Sequence, residues 1–108
     1  MKALNTMKFV NNATIELTKY EARLTSSTTY ESAKNTARQM LGYIDCLITF
    51  TNTMLCLENN DFTGEFCEVI DEWTSHVYQL LTNKAIETKQ DHDTVMKLLQ
   101  KRDEFVEA

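Results

Sequence analysis

The chain contains no proline, and across 108 residues it has only two glycines, Gly42 and Gly64. Helix interiors exclude both residue types, whereas a sheet protein of this length needs several of them at its turns. Periodicity agrees. Met7, Val10, Ala13, Leu17, Tyr20 and Leu24 recur at three- and four-residue steps, the spacing of one helix face. This predicts a helix over about 5–24, ended by the polar run 25–29. Thr28 followed three residues later by Glu31 matches a capping box, and so opens a second helix over about 29–58.

Asn59-Asn60-Asp61 closes that helix, because Asn tolerates the left-handed cap conformation. A third helix over about 62–82 carries the stripe Phe66, Val69, Ile70, Trp73, Val77, Leu80 and Leu81. A fourth, over about 91–106, starts at Asp91 or Asp93 and carries Val95, Leu98, Leu99, Arg102 and Val106 on one side. The pattern does not decide between helix and loop for 84–90. Short connections make neighbouring helices antiparallel. The expected fold is therefore all-α, a single domain folded as a three- or four-helix antiparallel bundle with a long central second helix.

That second helix has two apolar rows. Ala33, Ala37, Met40, Ile44, Leu47 and Met54 form one, widened by Leu41, Ile48 and Leu55. Tyr43, Cys46, Phe50 and Leu57 form another on a different side. A helix apolar nearly all round must be covered nearly all round. Either the other three helices surround it, or the second row packs on another copy. Tyr43, Cys46, Phe50 and Leu57 are accordingly the candidate self-association residues, in a homodimer.

Charge is distributed unevenly. Residues 1–38 carry a net of +3, residues 84–108 a net of −1, and the whole chain −5. Between Arg38 and Lys84 there is no Lys or Arg, while Asp45, Glu58, Asp61, Glu65, Glu68, Asp71 and Glu72 supply seven negative charges. Asp61, Glu65, Glu68 and Glu72 step by four, three and four, which lines them along one helix face. His76 and Gln79 extend the line. Acids in the first turn favour the helix dipole, but aligned acids further along repel one another. Asp61, Glu65, Glu68, Glu72 and His76 are thus the candidate partner-binding residues, a negative ridge suited to a basic protein surface. A surface that normally holds phosphate backbones would qualify, making the ridge a nucleic-acid mimic. The scattered basic residues and acidic balance argue against direct nucleic-acid binding.

Catalytic and metal constellations along the same helices are incomplete. Glu68, Glu72 and His76 fall at i, i+4 and i+8, yet the Glu-x-x-His pairs of di-iron bundles are missing. Glu65-x-x-Glu68 with Asp71 resembles the acidic motif with which all-α nucleotide pyrophosphatases hold magnesium. Such enzymes need a second motif on another helix, and Glu58-x-x-Asp61 straddles the turn on the wrong side. Cys67 and His76 lie on opposite sides of their helix, and two glycines could hardly build a phosphate loop. No metal or cofactor is expected, and the chain is read as a non-enzyme.

The cysteines, 46, 56 and 67, are expected as small buried hydrophobes. Cys56 and Cys67 flank the second hairpin, but a disulfide between them is not expected. Three cysteines without metal spacing and no secretory signal suggest a reducing, cytoplasmic setting, in which the sequon at Asn12 is accidental. The leading expectation is a small regulator or inhibitor working through protein–protein contact. The alternatives are a metal-dependent all-α nucleotide hydrolase and a structural subunit of a larger assembly.

Overall fold

The structure is a computed structural model. It describes the backbone of residues 2–57 and 62–106, and the side chains of residues 11–50 and 67–104. The protein is an all-α bundle of four helices: α1 (Lys2–Ser26), α2 (Tyr30–Leu57), α3 (Phe62–Glu87) and α4 (His92–Val106). At 1.5 Å per residue, α1 to α3 are each about 37–42 Å long, and the molecule measures 49 × 26 × 15 Å.

Paired side chains give the register. Arg23 of α1 donates to Gln39 of α2 at 3.4 Å, and Tyr20 meets Tyr43 with ring centroids 6.2 Å apart. As α1 advances α2 retreats, so the two are antiparallel. Glu21 pairs with His76 and, four residues on, Thr25 pairs with Lys84, so α1 and α3 run the same way. Arg102 of α4 reaches back to Gln79, which completes an up-down-up-down arrangement.

The core lies between the first three helices. Ala13, Leu17 and Leu24 from α1, Ala33, Ala37, Met40, Ile44 and Leu47 from α2, and Ile70, Val77 and Leu81 from α3 form one buried cluster. These are the predicted stripes, with two departures. Ile48, expected to widen the α2 stripe, is 39% exposed. The helix in the middle is α3: among the described residues it meets α1, α2 and α4, whereas α2 meets α1 and α3, and α4 meets α3 alone. The apolar richness of α2 therefore does not reflect enclosure on every side.

Helix ends follow local chemistry. The cap of α2 is Thr29 rather than Thr28, its hydroxyl accepting the Ser32 N–H at 3.1 Å. One residue of shift makes Ser32, not a Glu, the third helical position, so a single cap replaces the reciprocal box. Asp91 caps α4 by accepting the Thr94 N–H at 2.9 Å. Helix α3 continues to Glu87, beyond the predicted residue 82, and settles most of 84–90 as helix. It closes with Gln90 N–H donating to Ala85 carbonyl (2.8 Å) and Lys89 N–H to Ile86 carbonyl (3.1 Å). That is the Schellman pattern, with Lys89 in the left-handed region at φ 61°.

Polar groups within the core are satisfied locally. Thr36, Thr74 and Thr82 each donate to the carbonyl four residues back, at 3.2, 2.9 and 2.7 Å, which lets a hydroxyl face apolar neighbours without an unmade bond. No helix among the described residues is long and apolar enough to cross a membrane.

Candidate functional site

The outward side of α3 holds the predicted ridge. Glu68 and Glu72 are exposed, as is Asp71 beside them. None has an ion-pair partner among the described residues, although other acids of the chain do: Glu16 pairs with Lys19, Glu87 with Lys84, Glu104 with Lys101 and Asp103 with Arg102. The sequence accords with this, since no Lys or Arg lies between Arg38 and Lys84. Asp61 lies outside the described residues, and so does the side chain of Glu65.

His76 does not simply continue the line of acids. Its Nε2 lies 2.5 Å from Glu21 Oε2 of α1, and its ring meets Trp73 edge to face, with centroids 5.6 Å apart at 76°. A carboxylate accepts but does not donate, so Nε2 is the donor in this contact. Gln79, the other expected extension, is also taken up. Its Oε1 accepts from Arg102 of α4 at 2.5 Å, and its Nε2 donates to Asn83 at 2.9 Å. The exposed ridge therefore occupies the first half of α3 and stops where α1 and α4 close in. Glu21 was not legible as a neighbour of His76, because 55 residues of sequence separate them.

A concavity opens on this flank, lined by Glu72, Trp73 and His76. Its described lining is an indole, a carboxylate without an ion-pair partner among the described residues, and an imidazole held by Glu21. The described residues contain no group of three or more His, Cys, Asp or Glu side chains arranged to hold a metal ion. Glu68, Asp71 and Glu72 face water without converging on one point.

The second row of α2 is divided. Cys46 and Phe50 are exposed, Phe50 to 44%. Tyr43 is half-buried against the core beside Tyr20, and burial, followed by the Glu16 carboxylate, raises its phenol pKa above the usual value. Tyr43 thus packs largely at home instead of outward. The side chain of Leu57 lies outside the described residues. Both Cys46 and Cys67 are exposed free thiols, contrary to the expectation of buried cysteines. Each sits on its helix at an angle that the neighbouring helices do not cover. The side chain of Cys56 lies outside the described residues.

A buried cation that sequence reasoning missed lies at the far end of α3. Lys84, with a side chain only 6% exposed, donates to the carbonyls of Ser27 (2.8 Å) and Thr25 (3.1 Å) and pairs with Glu87 at 3.0 Å. Its ammonium caps the negative end of the α1 dipole. It is structural and takes the place of a glycine cap on α1.

No protein-family model, curated protein or solved structure matches the chain. The functional reading therefore rests on the geometry of this surface.

Proposed function

We propose that the protein is a small regulator or inhibitor that acts by protein–protein contact, presenting the acidic side of α3 to a basic surface of its partner. The observation that carries this reading is the row Glu68, Asp71 and Glu72, three exposed acids within two turns of one helix and without ion-pair partners among the described residues, whereas Glu16, Glu87, Asp103 and Glu104 each pair with a cation. Leaving like charges adjacent on a helix costs a few tenths of a kcal/mol per pair. A cationic partner recovers that cost and gains on-rate and specificity through complementary charge. Partners that themselves bind phosphate backbones fit this chemistry, and there the ridge acts as a nucleic-acid mimic. A reducing cytoplasmic setting accords with the free thiols of Cys46 and Cys67.

The test is co-purification of a defined partner from the source cells with the native chain, with a Glu68→Lys/Glu72→Lys variant, and with a Glu104→Lys control on α4. The expected result is a partner retained by the native chain and the control and lost with the ridge variant. Retention by all three would remove the ridge from the function.

A second reading draws on α2. Cys46, Ile48 and Phe50 are exposed on a helix that carries no basic residue after Arg38. This supports self-association, or a structural role in a larger assembly, through that helix. Under it, Phe50→Asp changes the sedimentation behaviour and the ridge variant does not.

A further inference from the structure

We propose that the concavity formed by Glu72, Trp73 and His76 seats the guanidinium of an arginine side chain presented by the basic partner. The inference rests on the ridge reading and makes it specific, naming the residue type recognised and the place where it is held.

More than acidity defines this place. The three lining side chains offer complementary features within one α-helical turn. Trp73 is half-buried, its indole packed against the core beside α1 and α2 while part of it remains accessible. An indole is the strongest aromatic partner for a cation. Glu72 stands exposed beside it without an ion-pair partner among the described residues, and a free carboxylate can accept two parallel N–H bonds from a guanidinium fork. His76 lines the concavity on the far side of Trp73, and its ring is held by the contact of Nε2 with Glu21 at 2.5 Å.

Charge decides among ligand classes. Glu68, Asp71 and Glu72 repel an anion, and an apolar side chain would leave Glu72 without a counter-charge. Lysine satisfies the charge, but it lacks the planar face that stacks on indole and the fork that matches a carboxylate. Arginine meets all three requirements at once. The neighbouring acids Glu68 and Asp71 then serve as a less specific field for the remaining cations of the partner.

Trp73 is the only tryptophan in the chain, so its emission reports on this site alone. The experiment titrates the full chain with a dye-labelled octa-arginine peptide at low ionic strength, following peptide anisotropy and Trp73 fluorescence together. Octa-lysine of equal charge serves as the comparator. The expected result is a saturable change in Trp73 emission that tracks anisotropy with octa-arginine, and weaker binding with a smaller emission change with octa-lysine. Glu72→Gln should weaken octa-arginine binding roughly tenfold, the scale of losing a hydrogen-bonded charge partner. Glu104→Gln, which removes the same charge from α4, should leave binding nearly unchanged.

Octa-arginine that binds by anisotropy without perturbing Trp73, or that loses equal affinity in the two variants, would overturn the concavity while leaving the ridge reading standing. Absence of any binding at low ionic strength would count against both. Circular dichroism of Glu72→Gln confirms that the exposed substitution leaves the helices intact.

Discussion

Lys84 is the residue whose role depends most on the rest of the chain. Its ammonium satisfies two carbonyls at the end of α1 that lie 57 and 59 residues away, so no local pattern could reveal it. Replacing it with methionine keeps the volume but strips the donors. Lys84→Met is expected to lose about 2 kcal/mol of stability in chemical denaturation, and a loss below about 0.5 kcal/mol would show that water substitutes for the ammonium. Lys89 presents the opposite case. Its φ of 61° is a conformation that glycine adopts freely and lysine does not. Lys89→Gly should stabilise the fold by roughly 0.5–1 kcal/mol, a rise of several degrees in Tm for a domain of this size. Lys89→Ala, which keeps the Cβ, should bring no such gain. Asp91 was legible as a candidate cap. Hydrogen bonds from Thr94 lower its pKa below the ordinary 3.8. A depressed carboxylate contributes stability above its unfolded pKa and loses it as pH falls through the folded one. Below about pH 4, then, the melting temperature of the native chain should fall more steeply than that of Asp91→Asn, which caps without titrating.

At the scale of the helix, the period-3.6 pattern was sufficient because each buried row comes from one continuous run. Ala33, Ala37, Met40, Ile44 and Leu47 are legible as core for that reason, and so are Ile70, Val77 and Leu81. What the pattern could not supply was which helix meets which. Apolar residues on two sides of α2 suggested a helix surrounded by the others, yet Cys46, Ile48 and Phe50 are exposed and α3 holds the middle. Moment and periodicity describe a helix against an unspecified environment, whereas the choice of neighbour depends on the packing of all four. The same limit explains His76. Its spacing from Glu72 placed it beside the ridge correctly, but its partner comes from α1. Within α2, Gly42 is an exposed interior position where an added Cβ would meet nothing within 4 Å. Gly42→Ala should therefore stabilise the protein by about 0.5–1 kcal/mol through the unfolded chain's lost freedom, read as a higher denaturation midpoint at unchanged slope. A decrease would mean that this side of α2 is occupied in solution.

The whole molecule is elongated. Its radius of gyration is 15.3 Å, against about 13 Å for a compact domain of some 100 residues. Length follows from helices near 40 Å, and thinness from α4 lying, among the described residues, against α3 alone. A thin, acidic body keeps its charges near solvent, where salt screens them. Raising ionic strength should raise the melting temperature modestly by relieving the repulsion among Glu68, Asp71 and Glu72, while weakening any association with a basic partner. A melting temperature that falls with salt would indicate that the intramolecular ion pairs outweigh that repulsion.

The packing of Val69, Ile70 and Trp73 against α1 and α2 has a consequence for the kind of surface the ridge can meet. Glu68 and Glu72 are one turn apart on a backbone that cannot readily bend, so their roughly 6 Å rise acts as a ruler. Little ordering entropy remains to be lost on this side of a complex, and the cost falls on the other molecule. A pre-formed helix bearing cations at every third or fourth residue would match that ruler more favourably than a slack basic tail of equal charge.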